Sequence, residues 1–141
     1  MQAALGLSQM QRIDQFLAAR RRLAARYDTL LADLTTTGFV LPWQDPRASS
    51  SYHLYPVQVT NANQRRALFD GLREAGIGVQ VHYIPVHLQP YYRRLGFEDG
   101  DFPAAEAYYA RAISLPMYAA LADAQQDIVV EQLHRLLRET A

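Results

Sequence analysis

Two histidines, two glutamines and three tyrosines fall between Gly76 and Tyr92, in the run G-I-G-V-Q-V-H-Y-I-P-V-H-L-Q-P-Y-Y. Imidazole and amide groups can donate or accept hydrogen bonds, and tyrosine adds a ring face with a hydroxyl, so the run can grip a polar ligand. Val79, Val81 and Tyr83 alternate with Gln80 and His82, the period of a strand. Pro85 and Pro90 then forbid a continuous ladder or helix. A polar loop carried on a rigid strand is where binding groups concentrate. His82 and His87 are five apart without a third ligand at fitting spacing, so no metal site is expected.

What is absent narrows the chemistry further. The 141 residues include no lysine and no cysteine, and all fourteen basic residues are arginine. A lysine amine is therefore excluded as nucleophile or Schiff-base anchor within this chain, as are thiol catalysis, disulfides and zinc–thiolate sites. No Ser/His/Asp order, glycine-rich phosphate loop or carboxylate pair stands out, so no catalytic residue is assigned. Net charge is zero, which argues against a nucleic-acid partner. The cluster Arg20-Arg21-Arg22 reads as a solvated helix face. No apolar stretch reaches membrane-span length and no secretory signal precedes Ser8. A cytoplasmic protein without a membrane partner is the expectation.

The elements that must position the run are legible by period. Apolar positions Met10, Ile13, Leu17, Ala24, Tyr27, Leu31 and Leu34 recur every three or four residues, predicting one long amphipathic helix from Ser8 to Leu34. Gln2 to Leu7 also reads as helix, with Gly6 as a break. Pro42 to Ser51 is a loop, and Tyr52 to Thr60 a strand whose Pro56 suggests an edge or bulge. Asn63 to Ala75 is a helix closed by Gly76. With the strand that follows it makes a β-α-β unit, right-handed if the strands are parallel. A helix begins at Phe102-Pro103, Ile113 to Pro116 is a short buried strand, and Asp123 with Gln126 resembles a capping box for a last helix. Tyr91-Tyr92 and Tyr108-Tyr109 read as packing pairs, one ring of each inward. Arg93-Arg94 reads as an exposed pair. The expected fold is α/β, a small sheet packed with helices and preceded by a long amphipathic helix. Residues 1–37 form the helical segment and 38–141 the small α/β part of a single domain.

Several blocks together resemble the DegT/StrS family of sugar-nucleotide aminotransferases. They are R-R-L-A-A-R-Y-D-T-L-L at Arg21 to Leu31, S-Y-H-L-Y-P-V at Ser51 to Val57, the run from Gly76 to Tyr92, and A-R-A-I-S-L-P-M-Y at Ala110 to Tyr118. The Q-V-H-Y-I-P-V-H-L-Q-P-Y-Y version is most similar to members that form UDP-4-amino-4,6-dideoxy-N-acetyl-altrosamine on the pseudaminic acid route. The resemblance implies the C-terminal small domain of a dimeric, fold type I, pyridoxal phosphate-dependent transferase. The large domain, with its Schiff-base lysine and most cofactor contacts, would lie outside this chain. Gln2 to Gln9 looks like the tail of the family's N-Y-R-x-x-x-x-Q-A-A-L-G block. No cofactor would be covalently held here.

The implied reaction moves an amino group from glutamate to a 4-keto UDP-sugar, and this chain would supply specificity. The resemblance places Gln80, Val81, His82 and Tyr83 against the substrate, with His87, Gln89 and Tyr91 further along the same loop. Two other classes compete: a free-standing module for a small ligand or protein, and a split or regulatory subunit completed in trans. A fragment of an aminotransferase predicts an exposed apolar face on the Met10 to Leu34 helix, where the missing domain would sit. A free-standing module predicts that this face is covered or self-associated.

Overall fold

The computed structural model describes residues 2–139. Helices α1 (Gln2–Met10) and α2 (Ile13–Leu30) lead into a 3-10 turn at Asp33–Thr37. Strand β1 (Phe39–Val40), a loop, and strand β2 (Tyr55–Val59) follow, then α3 (Ala62–Glu74). After the Gly76–Tyr92 run, which contains a 3-10 turn at Val86–Leu88 and the single turn α4 (Pro90–Arg93), come α5 (Pro103–Arg111), β3 (Ala112–Leu115) and α6 (Asp123–Glu139). The sheet order is β1-β2-β3, antiparallel throughout.

The strand predicted over Val79–Tyr83 reduces to one residue. Gln80 makes an isolated antiparallel bridge to Ser114 on the edge of β3 away from β2. Since β2 and Gln80 both run antiparallel to β3, they are parallel to each other with β3 between them. The β-α-β unit therefore exists in split form, and no parallel pair forms in the sheet. The cause lies at the end of α3. Gly76 adopts a left-handed φ of 78°, and the amides of Ile77 and Gly76 bond the carbonyls of Leu72 and Arg73 at 2.9 and 3.0 Å. This glycine-dependent cap turns the chain and buries Ile77 and Val79, so the segment reaches β3 late, and Pro85 ends it soon after.

Proline in a central strand is also explained by β3. Ser114 turns both its N–H and its C=O toward Gln80, so its register partner Pro56 stands in a non-hydrogen-bonded pair. The side of Pro56 away from β3 meets no strand, because β1 pairs only with Gln58 and Val59. The missing N–H therefore costs no ladder bond. Pro56 sits at a local edge, as its residue type suggests.

The long first helix is two. The break falls at Gln11–Arg12, and Gly6 lies inside α1. Only the C-terminal half of the predicted apolar stripe enters this chain's core: Ala24, Tyr27, Leu31 and Leu34 are buried, whereas Leu5, Leu7, Met10 and Ile13 are exposed. The buried half is covered within this chain, and the exposed half is open to a missing domain or to a second copy. The core joins that stripe to Tyr55, Val57, Leu68, Leu72, Ile113, Leu133 and Leu136. At the crossing of α3 and α6, a Cβ on Gly71 would stand 2.6 Å from Leu136 Cδ2, so this glycine sets the approach of the two helices.

Helix α6 does not use the predicted capping box. Gln126 is buried and donates from Nε2 to the Leu23 carbonyl at 3.0 Å, while Asp123 pairs with Arg22 at 2.7 Å. Gln125 takes the capping role, accepting the Ala122 amide at 3.0 Å.

In the arginine cluster, Arg21 and Arg22 are exposed as expected of a solvated helix face, whereas Arg20 is structural. Arg20 Nη1 donates to the carbonyls of Tyr52, His53 and Met117 at 2.8, 3.0 and 3.1 Å, tying α2 to the chain entering β2 and the chain leaving β3. Arg21 bonds one exposed carbonyl, that of Ser50. Replacing Arg20 by Ala should therefore cost about 2 kcal/mol, because charged donors to partly buried carbonyls are the stronger class. Replacing Arg21 should cost less than about 0.5 kcal/mol. Urea denaturation of the two variants measures both, and equal losses would remove Arg20 from this role.

Candidate functional site

The site follows from the carbonyls and side chains gathered where β2 begins and β3 ends. Gln80 and Ser114 exchange backbone bonds of 3.2 and 2.8 Å. Two residues on, where side-chain alternation returns to the same face, His82 Nδ1 lies 2.8 Å from Ser114 Oγ. The His82 and Tyr83 rings meet edge to face at 4.6 Å, across a cis peptide. Gln80, His82 and Ser114 form one wall of a cleft of about 550 Å³. Leu54, Ile77, Met117, Leu121 and Ile128 supply most of its apolar lining, with His53, Tyr118 and Gln125 as further polar groups. Its size and mixed lining are those of a small-molecule site.

The run does not form one site. Gln80 and His82 line the cleft, and Tyr83 lies beside them, 69% exposed. Val81 is half-buried and Gln89 exposed, and neither lines a cavity. His87 is turned the other way. It is 6% exposed and helps enclose a second, apolar cavity of about 360 Å³ with Pro85, Val86, Tyr92, Phe97, Phe102 and Ala105. Tyr91 lies on the surface, whereas Tyr92, 5.3 Å away ring to ring, turns toward Phe97 and the second cavity. Tyr108 and Tyr109 are both half-buried. Arg93 is held by the Leu88 carbonyl and Asp99, and Arg94 lies over Tyr91.

Glu106 anchors the His87 side. Its carboxylate lies 2.9 Å from His87 Nε2 and accepts the Gly100 and Phe102 amides at 2.9 and 3.3 Å. Those bonds, led by the one to His87, hold its carboxyl below the usual range. Two contributors were invisible to period reasoning, although each left a trace. Ser114 is the one polar residue in a strand buried at all four positions. Glu106 lies in the first turn after Pro103, where a carboxylate meets free amides.

No arginine lines either cavity and the chain has no lysine. The residues present therefore do not fit the aldehyde or the phosphate of pyridoxal phosphate. Among the described residues no group of three metal-ligating side chains gathers, and no helix is long and apolar enough to cross a membrane.

The architecture is a helix-backed antiparallel sheet with an open cleft that no arginine or carboxylate lines. The model of the DegT/DnrJ/EryC1/StrS aminotransferase family matches residues 1–134, and the chain belongs to that family. It is 36% identical to the spore coat polysaccharide biosynthesis protein SpsC of Bacillus subtilis over 98% of its length, and covers 36% of that protein. Its structure is similar to the sugar aminotransferase Spr1654 from Streptococcus pneumoniae in its PMP-form, with TM-score 0.90 and 30% identity over 99% of this chain and 35% of that one. The Helicobacter pylori aminotransferase PseC, involved in pseudaminic acid biosynthesis, matches with TM-score 0.86 and 28% identity over 98% of this chain and 37% of that one. The chain thus spans little more than a third of the relatives it matches. Spr1654 is also known in a PLP-form, and pyridoxal phosphate is the cofactor of the intact family proteins. The small-sheet architecture expected from the resemblance agrees with these structures.

Glu106 gives a pH-dependent test. Its folded pKa lies below the ordinary 4.5, so its contribution is complete above that value and lost as pH falls through the folded pKa. Hydrogen-exchange protection at Gly100 and Phe102 should be flat above about pH 5 and decline below about pH 4.5. In Glu106→Gln it should be low throughout. Unchanged protection in that variant would detach Glu106 from the loop.

Proposed function

We propose that this chain is the substrate-binding small domain of a pyridoxal phosphate-dependent aminotransferase that moves an amino group from glutamate to a 4-keto UDP-sugar. The carrying observation is that an aminotransferase family matches the chain nearly end to end although it contains no lysine. The Schiff-base lysine and the cofactor phosphate site would then belong to a large domain, attached or supplied in trans, in an enzyme that works as a homodimer. The part assigned to this chain is to bind and orient. His82 and Gln80 present polar groups at the cleft, and Tyr83 offers an exposed ring and hydroxyl beside them. Val81 contributes through its backbone. His87 is better read as a support, because its Nε2 is occupied by Glu106, and exposed Gln89 is kept as an outer contact.

Within the sugar class, a UDP-linked 4-keto-6-deoxy N-acetyl sugar is the substrate we favour. The Q-V-H-Y motif and the likeness to PseC support it. A stand-alone small-ligand module is the second reading, favoured by the small-molecule size of the cleft between β3 and α6.

The test mixes the purified chain with a lysine-bearing large-domain chain, glutamate and the keto sugar nucleotide. No amination is expected from this chain alone, and activity should appear on mixing. In the active assembly His82→Ala and Tyr83→Phe should raise the KM for the sugar nucleotide about tenfold and threefold, in line with one or two lost hydrogen bonds. The cofactor absorbance band should be unchanged. Amination by the chain alone would overturn the division of labour, and loss of the band would move these residues to the cofactor.

A further inference from the structure

Ser114 does more than complete a strand. Its side chain is 5% exposed and lies inside a four-residue strand buried at every position, where a hydroxyl needs a partner to avoid an uncompensated desolvation cost. That partner is His82 Nδ1 at 2.8 Å. The backbone of the same serine exchanges both its hydrogen bonds with Gln80. One residue therefore fixes the path of the 80–82 segment by its main chain and the attitude of the imidazole by its side chain. On the far side of the ring, Nε2 has no protein partner among the described residues, and the ring lines the cleft.

We propose that Ser114 is a positioning residue. Its hydroxyl pins the His82 ring through Nδ1 and leaves Nε2 as the group that meets the ligand. The ligand role rests on the function proposed above, whereas the control of the ring does not. A neutral imidazole carries one donor and one acceptor nitrogen. A hydroxyl can donate to Nδ1 or accept from it, so the pair holds the ring in place in either tautomer, and Nε2 meets the ligand in the role that Nδ1 leaves free.

Ring 15N spectra of the full 141-residue chain test the first half, with His82→Ala assigning the signal among the four histidines. In the parent, the Nδ1 signal of His82 is expected at a position shifted by its hydrogen bond to the Ser114 hydroxyl. Ser114→Ala should move the Nδ1 shift away from its hydrogen-bonded position, and Ser114→Thr, which keeps the hydroxyl, should restore it. Unmoved shifts in Ser114→Ala would overturn the proposal. Ser114→Cys, close to serine in size with a weaker donor, gives a second reading of the same shifts should the alanine variant lose its fold.

Kinetics in the assembly with the large domain test the second half. Ser114→Ala should raise the sugar-nucleotide KM about fivefold with kcat little changed, the scale of one hydrogen bond. In a His82→Ala background the same substitution should add nothing, because a residue that acts through another has no effect once the other is gone. An equal penalty in both backgrounds would reduce Ser114 to a structural residue. A normal KM for His82→Ala alone would instead sink the substrate-site reading, with the ring spectra still deciding what Ser114 does to His82.

Discussion

A strand buried on both faces has to satisfy the backbone groups on both its edges, and in β3 that requirement organises the molecule. Unpaired buried N–H or C=O groups are costly. β2 covers one edge of Ala112–Leu115, and no regular strand covers the other. The irregular segment leaving α3 is drawn in to supply the missing pairing through Gln80. Ser114 thereby becomes the junction of sheet and cleft. The same orientation of Ser114 releases Pro56 from any need to donate, so a proline is tolerated opposite it. One constraint accounts for the half-formed strand, the proline in the middle strand and the placement of His82.

The charge layout leaves the cleft without a guanidinium or a carboxylate in its lining. A diphosphate is recognised by paired guanidinium or ammonium groups, and the cleft has neither. Many of the chain's arginines are occupied elsewhere. Arg20 and Arg21 hold carbonyls, Arg22 and Arg26 bind α6 carboxylates, and Arg47, Arg66, Arg93 and Arg135 each pair with an acid. What the cleft presents is imidazole, amide, phenol and aliphatic surface. It suits the uncharged parts of a polar ligand.

Periodicity made the helices legible and most of the core with them, since Tyr27, Leu68, Leu72, Leu133 and Leu136 are inward both by pattern and by burial. It failed where a side chain's direction is set by a partner distant in sequence. Nothing local distinguishes His82, which meets a serine 32 residues on, from His87, which meets a glutamate 19 residues on. One faces the cleft and the other is sealed behind an aromatic cluster. The two-residue break between α1 and α2 was hidden for a related reason. Gln11 and Arg12 are ordinary helix formers, whereas Gly6, the weaker one, stays helical.

The two ends of the Gly76–Tyr92 run are held with different firmness, and that difference bears on how a site here could work. At the far end, Glu106 gathers three donors and His87 is packed against Phe102, with ring centroids 4.7 Å apart. At the cleft, the segment is attached by one bridge pair and one side-chain bond. Net contributions of about 1 kcal/mol per hydrogen bond make that attachment worth only a few kcal/mol, comparable with what a well-placed polar ligand can return. Tyr83 and Ile84, exposed between the two anchors, can then adjust to a ligand without disturbing β3 or the Glu106 clamp. A rigid anchor on one side and a light one on the other is an arrangement in which binding can reset the segment while the core stays in place.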